Sequence, residues 1–269
     1  MIVVETDNAL GSPSGDIDDG FALMAMLSRE SEFQEDVQVF STFGNTSSNE
    51  AYRNSRELFS KFNSHIDLQN GVSKPNEVFP VEKLKNRNVK RWIALGPLTG
   101  VYSALEQGVV VDEVFVVGAH NRPKGFMPPI WPMEFNLVKD IRATHGLLNS
   151  NIVIRIFCLD IIRQLRSSLR DLREQLPSTL FDSYGASIKR WSLRNRLMLR
   201  SSFSLWDLAA IEFLFHPQYF SFEDGGVLPS NKMGWAVVEN GKKAHILRKI
   251  DVSGVLSGFF DTLNSKKLL

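Results

Sequence analysis

TDNALGSPSGDIDDGFALMAML, residues 6–27, is entered from the apolar run IVVET (2–6) and left through another, Phe21 to Leu27. The first run is short, rich in β-branched residues and apolar nearly throughout rather than alternating, the pattern of a strand buried on both faces. The second opens on Asp-Asp-Gly and reads as a helix over about 18–30. A strand, a Gly/Ser/Pro loop and a helix form the opening unit of an α/β fold. Working outward, VQVFST (37–42), WIAL (92–95), EVFVVG (113–118) and IVIRIFCL (152–159) repeat the strand pattern, with helices predicted over 48–63, 98–107 and 139–149. The helix after residue 47 carries a capping-box spacing, Ser47-x-x-Glu50. This alternation predicts a mostly parallel sheet. Residues 160–215 read as mainly helical, followed by strand-like pieces at 235–238 and 245–247 and a final helix near 251–264.

The chain of 269 residues is near the upper size of a single-core domain, and without repeats or low-complexity linkers it is read as one domain, 1–269. Thirty-one basic and thirty acidic residues leave a net charge of +1, so gross electrostatics predicts neither nucleic-acid nor membrane binding. The lone Cys158 lies in an apolar run and reads as a buried, inert thiol. Nowhere do about 18 consecutive apolar residues occur, and no signal core follows the start, which predicts a soluble, cytoplasmic protein.

Four aspartates, Asp7, Asp16, Asp18 and Asp19, crowd the opening loop beside an apolar core. Carboxylates so placed repel one another and are costly to bury without a counter-charge. Asp18 and Asp19 fall in a first helical turn, where the macrodipole favours each by about 0.3–1 kcal/mol; this accounts for one or two of the four. A hard divalent cation accounts for all, because Ca²⁺ takes about 6–8 oxygen ligands in irregular geometry. One Cys and five scattered His without ligand spacing argue against zinc. In a parallel sheet, ligands bind beyond the carboxyl ends of the strands. Asn45, Thr99, Glu134 with Asn136 and Trp131, and Asp207 beside Trp206 all fall at such junctions or on loops near them. Singly they read as caps, turn residues or surface charges; their coincidence favours a site.

The chain resembles the Ca²⁺-dependent nucleoside hydrolases of the inosine–uridine-preferring type. The matching pieces occur in family order from about residue 2 to 215: the aspartate loop with IDDGFAL, the GN of FGNTSS, ALGPLTG, VVGA, EFNLVKD, CLD and the aspartate of LWDLAAIEF. The resemblance implies a doubly wound α/β fold with helices on both faces and Ca²⁺ at the bottom of a deep pocket. It implies metal ligation by Asp7, Asp19, the Thr99 carbonyl and Asp207, a ribose contact from Asp18, and ribose hydroxyls held by Asn45, Glu134 and Asn136. It also implies assembly into dimers or tetramers and a role in salvage of purines or other bases.

Cleaving an N-glycosidic bond builds positive charge on the ribose ring. The ion would hold the vicinal hydroxyls and a water of lowered pKa, with Asp7 as the general base and Glu134 favouring the cationic sugar. Several features depart from the pattern. NALGSPSGDI separates Asp7 from Asp18, and the inserted Asp16 is an alternative to Asp7 as metal ligand. Pro128 falls near the expected place of a sugar-binding Asn, and the segment before ALGPLTG offers no His. Trp206 stands where a base-protonating His is common; it reads either as a stacking face for a purine or as a buried helix-start aromatic. Trp131 reads likewise as base-stacking or core, and His120 is the one histidine placed near the pocket. Residues 161–200 carry nine Lys or Arg against three acidic residues, either a solvated helical face or a contact for a phosphorylated substrate. The expected function is Ca²⁺-dependent hydrolysis of a ribonucleoside, with a purine or modified base; the alternative is a non-catalytic nucleoside-binding protein on the same scaffold.

Overall fold

In the computed structural model, which describes residues 1–13, 15–120, 134–197, 201–230, 234–238 and 240–268, the opening unit is β1 (Ile2–Thr6), a loop, and α1 (Asp18–Ser28). There follow β2 (Val37–Ser41), α2 (Ser48–Lys61), β3 (Asp67–Asn70), β4 (Val89–Ala94), α3 (Thr99–Glu106) and β5 (Val111–Val117). Then come α4 (Phe135–Lys139), α5 (Ile141–Asn149), β6 (Val153–Phe157), α6 (Leu159–Ile162), β7 (Arg166–Ser167), α7 (Leu169–Gln175) and α8 (Ser178–Leu197). The last stretch holds β8 (Phe203–Ser204), α9 (Leu208–Phe215), β9 (Phe220–Ser230), β10 (Gly234–Val238), β11 (Lys242–Ile250) and α10 (Val252–Ser265).

Nine strands form one sheet in the order β10-β9-β11-β6-β5-β4-β1-β2-β3. β1 lies between β2 and β4, parallel to both, and the parallel pairing extends outward to β3 on one side and to β11 on the other. Among the described strands of this sheet, β9 alone runs against the rest, pairing antiparallel with β11 on one side and with the marginal β10 on the other. Because side chains alternate across a strand, β1 feeds two cores. Ile2 and Val4 join α1, α8, α9 and α10 on one face, while Val3 joins α3 and α5 on the other. Helices thus cover both faces, as the resemblance implies.

Three local features differ from the sequence reading. β3 has the sequence DLQN and is partly exposed at the sheet margin, so it lacks the apolar signature of a buried strand. The helix predicted over 139–149 is broken at Asp140, whose backbone is extended (φ −140°, ψ 91°) and whose side chain caps α5 by accepting from the Ala143 amide. Only half of the capping box forms. Ser47 accepts from the Glu50 amide at 3.3 Å, but the Glu50 carboxylate turns to the hydroxyls of Thr46 and Ser12. No described helix is long and apolar enough to cross a membrane.

Candidate functional site

The carboxyl ends of β1, β2 and β4 meet around Asp7, which directly follows β1. The chain passes so close at Gly44 that a Cβ there would lie 1.9 Å from Asp7 Oδ2, and one at Gly96 would lie 3.4 Å from its Cγ. Only glycine fits the first of these approaches. The Asn45 amide donates to Asp7 Oδ2 at 2.5 Å and its side-chain Nδ2 to Oδ1 at 3.4 Å. Asn45 Oδ1 in turn accepts from the Asp16 amide at 3.4 Å, so one side chain ties the ends of β1 and β2 to the loop before α1.

Asp18 and Asp19 occupy the first turn of α1, and Asp207 the position before α9. Although Asp207 stands at an N-cap position, its side chain makes no capping hydrogen bond. It is turned instead toward α1: Asp18, Asp19 and Asp207 each offer an oxygen, all within 4.8 Å of one another, and all three residues are buried. Residues 188 positions apart are thereby joined; the ligand set that the resemblance implies shares Asp19 and Asp207 with this cluster but has Asp7 where the cluster has Asp18. Asp19 Oδ1 accepts from Thr6 Oγ1 at 2.5 Å and from the Asp7 amide at 3.1 Å, whereas Asp19 Oδ2 and Asp18 Oδ1 are buried without a partner. Thr6 was not anticipated from the sequence, though its place one residue before the first aspartate was available to read.

Among the described residues, none of these aspartates is ion-paired. Burial, reinforced by the neighbouring carboxylates, holds Asp7, Asp18 and Asp207 well above the ordinary carboxyl range. Burial raises Asp19 as well, against opposing hydrogen bonds from Thr6 and Asp7. Asp16 is partly exposed and is pushed up to about 6, mainly by burial. Protons hold such a cluster together only until a stronger Lewis acid displaces them. The donors are all oxygens and two of them are orphaned, which fits a hard divalent ion.

Thr99 heads α3, and its hydroxyl donates at 2.7 Å to Asp140 Oδ2, which also accepts from the Asn76 amide. Asn136, on α4, donates through Nδ2 to the Leu95 carbonyl at 2.5 Å, beside the end of β4. Glu134 is buried just before α4, with neither carboxylate oxygen hydrogen-bonded and His120 Nε2 3.3 Å from Oε1. Burial raises the Glu134 carboxyl and lowers the His120 imidazole. Trp206 is half-buried against the core adjoining Asp207. Trp131, with Phe126 and Pro128, lies outside the described residues.

Sequence reasoning also passed over Glu5, the one acidic residue inside β1. Its carboxyl accepts from Trp92 Nε1 at 3.3 Å, and burial pushes it up to about 8. A glutamate within an otherwise apolar strand was a legible signal. Gly100 makes room for it, since a Cβ there would lie 2.0 Å from Glu5 Oε1.

No family model and no curated protein matches the chain. Solved structures do. A plant nucleoside hydrolase aligns over 98% of both chains with a TM-score of 0.76 at 16% identity. A purine-preferring ribonucleoside hydrolase from Gardnerella vaginalis aligns over 97% of both chains, TM-score 0.72, at 14% identity. An inosine-uridine preferring nucleoside hydrolase from Bacillus anthracis aligns over 98% of both, TM-score 0.65, at 16% identity. The chain has the fold of the nucleoside hydrolases over its full length, in a divergent sequence.

Proposed function

We propose that the chain is a Ca²⁺-dependent ribonucleoside hydrolase that releases a free base and ribose. The reading rests on one observation above all: Asp18, Asp19 and Asp207, drawn from both ends of the sequence, share a buried point without a counter-charge. Asp19 and Asp207 would hold the ion beside Asp18 of the same cluster, with Asp7, or Asp16 in its place, and the Thr99 carbonyl as further candidate ligands. When bound, the ion supplies the missing positive charge, a hold on a vicinal diol and a lowered pKa for a nearby water.

The protein groups have separate tasks. Asp7, held by both nitrogens of Asn45, would take a proton from the attacking water. Asp18, with an unpartnered buried oxygen, is free to accept from a ribose hydroxyl. Asn45 and Asn136 offer amides to the sugar. The carboxylate of Glu134 sits in a desolvated place where an ionised form would strongly favour positive charge developing on the ring. Trp206 offers an aromatic face that suits a purine or a modified base.

The test is release of reducing sugar from a panel of purine, pyrimidine and modified nucleosides, with calcium and with chelator. Calcium-dependent release, lost in Asp207→Asn, supports the reading. Trp206 stands where the resemblance carries a proton-donating His, and this favours a second reading, a nucleoside-binding protein without turnover. Calcium-dependent thermal stabilisation by nucleosides with no sugar released would establish that second reading and overturn the first.

A further inference from the structure

On the other side of the acidic loop, against α8, is a cavity of about 150 Å³. Loop residues 12, 13, 15 and 17 form one wall, and Ser187, Arg190, Trp191 and Arg194 the other. Arg190 and Arg194 are one helical turn apart and share a helix face. Among the described residues neither has a carboxylate partner: Arg190 reaches only the Ser12 carbonyl, at 3.4 Å, and the Arg194 guanidinium lies 5.2 Å from the centre of the Trp191 ring. Trp191 Nε1 is buried with no acceptor, an arrangement that calls for a ligand or another explanation. The hydroxyls of the wall are already engaged. Ser187 Oγ accepts from the Gly11 amide and donates to the Ser12 carbonyl, and Ser12 Oγ donates to Glu50.

The cavity therefore presents two exposed positive charges and a buried indole N–H, with an excess of donors. We propose that it binds a phosphate monoester. Such a group brings a dianion and three terminal oxygens, which match planar guanidinium forks better than a neutral sugar or a single carboxylate oxygen does. The loop is a shared wall. Gly15 and Ile17 line the cavity, and the amide of Asp16 between them donates to Asn45 Oδ1, whose Nδ2 in turn holds Asp7. The phosphate has two conceivable sources, the ribosyl substrate itself or a separate phosphorylated ligand. The first source rests on the proposed ribosyl site; binding of the phosphate does not.

The experiment uses the full chain and the double variant Arg190→Ala/Arg194→Ala. Both side chains are exposed, so the fold should persist, which circular dichroism checks. Titration calorimetry in chelator compares ribose 5-phosphate, ribose, inorganic phosphate and sulfate. Binding of ribose 5-phosphate at least about tenfold tighter than ribose, lost in the double variant and weakened a few-fold in Trp191→Phe, supports the inference. Equal affinity for ribose and ribose 5-phosphate, or binding that the double variant leaves intact, overturns it.

Turnover then separates the sources. A kcat/KM for inosine 5′-monophosphate that exceeds that for inosine, with the excess removed by the double variant, assigns the phosphate to the substrate. Turnover of inosine alone, with variant-sensitive ribose 5-phosphate binding, supports a separate ligand in the same cavity. If neither compound is hydrolysed but that binding is still variant-sensitive, the hydrolase reading fails and the phosphate site stands.

Discussion

α1 and α9 pack against each other, and the two ends of their contact are built on opposite electrostatic principles. At one end Asp18 and Asp19 of α1 meet Asp207, three carboxylates and no cation. At the other, Arg29, just past α1, pairs with Glu212 of α9 at 2.8 Å with both side chains almost wholly buried. Arg29 also donates to the Gly258 carbonyl and lies over Phe215. Burial still pushes Glu212 up to about 7, against the pull of Arg29. The protein thus supplies its own cation where the charge is structural and leaves one to come from outside where an oxygen cluster faces the carboxyl ends of the strands. A buried carboxylate is a functional signal when its partner is missing, and the same helix pair provides the internal control.

The sharpest way to break this contrast is to treat both ends alike. Arg29→Met should leave Glu212 buried and uncompensated and cost about 3–5 kcal/mol in urea unfolding, with or without calcium. Asp207→Asn should do the reverse in chelator, leaving the metal-free protein as stable as wild type or more so by relieving like-charge repulsion. Its sugar-releasing activity with calcium should fall by about 10²–10³-fold, the loss expected when a group stabilising transition-state charge is removed. Equal destabilisation by the two substitutions would sink the distinction.

Calcium provides the next largest effect. At a concentration 100 times its dissociation constant, an ion that binds only the folded state stabilises by about 2.7 kcal/mol. Thermal unfolding with calcium and with chelator should show that gain in wild type and Arg29→Met, and none in Asp19→Asn. A gain that survives in Asp19→Asn would place the ion elsewhere.

The sequence was most legible where burial writes a pattern. β1, β2, β4, β5 and β6 were visible as apolar runs because each is covered on both faces, and their order with the helices determined the architecture. β3 and β9 were not, since DLQN lies at the sheet margin, where a strand need not be apolar, and FSFEDGGVLPS contains Gly, Pro and acidic residues that break the pattern of a strand. The acidic loop declared itself through composition, and the ordered family words identified Asp207 as its distant member. What could not be read was how the charges are resolved. Nothing in one dimension distinguishes Asp207, turned toward other carboxylates, from Glu212, five residues later and turned toward an arginine.

The smallest effect lies in pH dependence, where Glu5 tests whether the acidic cluster stands alone. The folded-state pKa of Glu5 is raised to about 8 from an ordinary 4.5, so between those values the folded chain holds a proton that the unfolded chain has lost. Stability must therefore fall as pH rises through that window, by at most about 1.4 kcal/mol per pH unit for one group. The raised aspartates act in the same direction in chelator, but calcium keeps them ionised in the folded protein and removes their part. Glu5 keeps its share, since its carboxyl hydrogen-bonds to Trp92 rather than to the cluster. Urea unfolding between pH 5.5 and 8 should thus show a steep decline in chelator, a shallower one with calcium, and a still shallower one for Glu5→Gln with calcium. If Glu5→Gln left the calcium-loaded slope unchanged, Glu5 would titrate with the aspartates, and the uncompensated region would extend from the helix ends into β1.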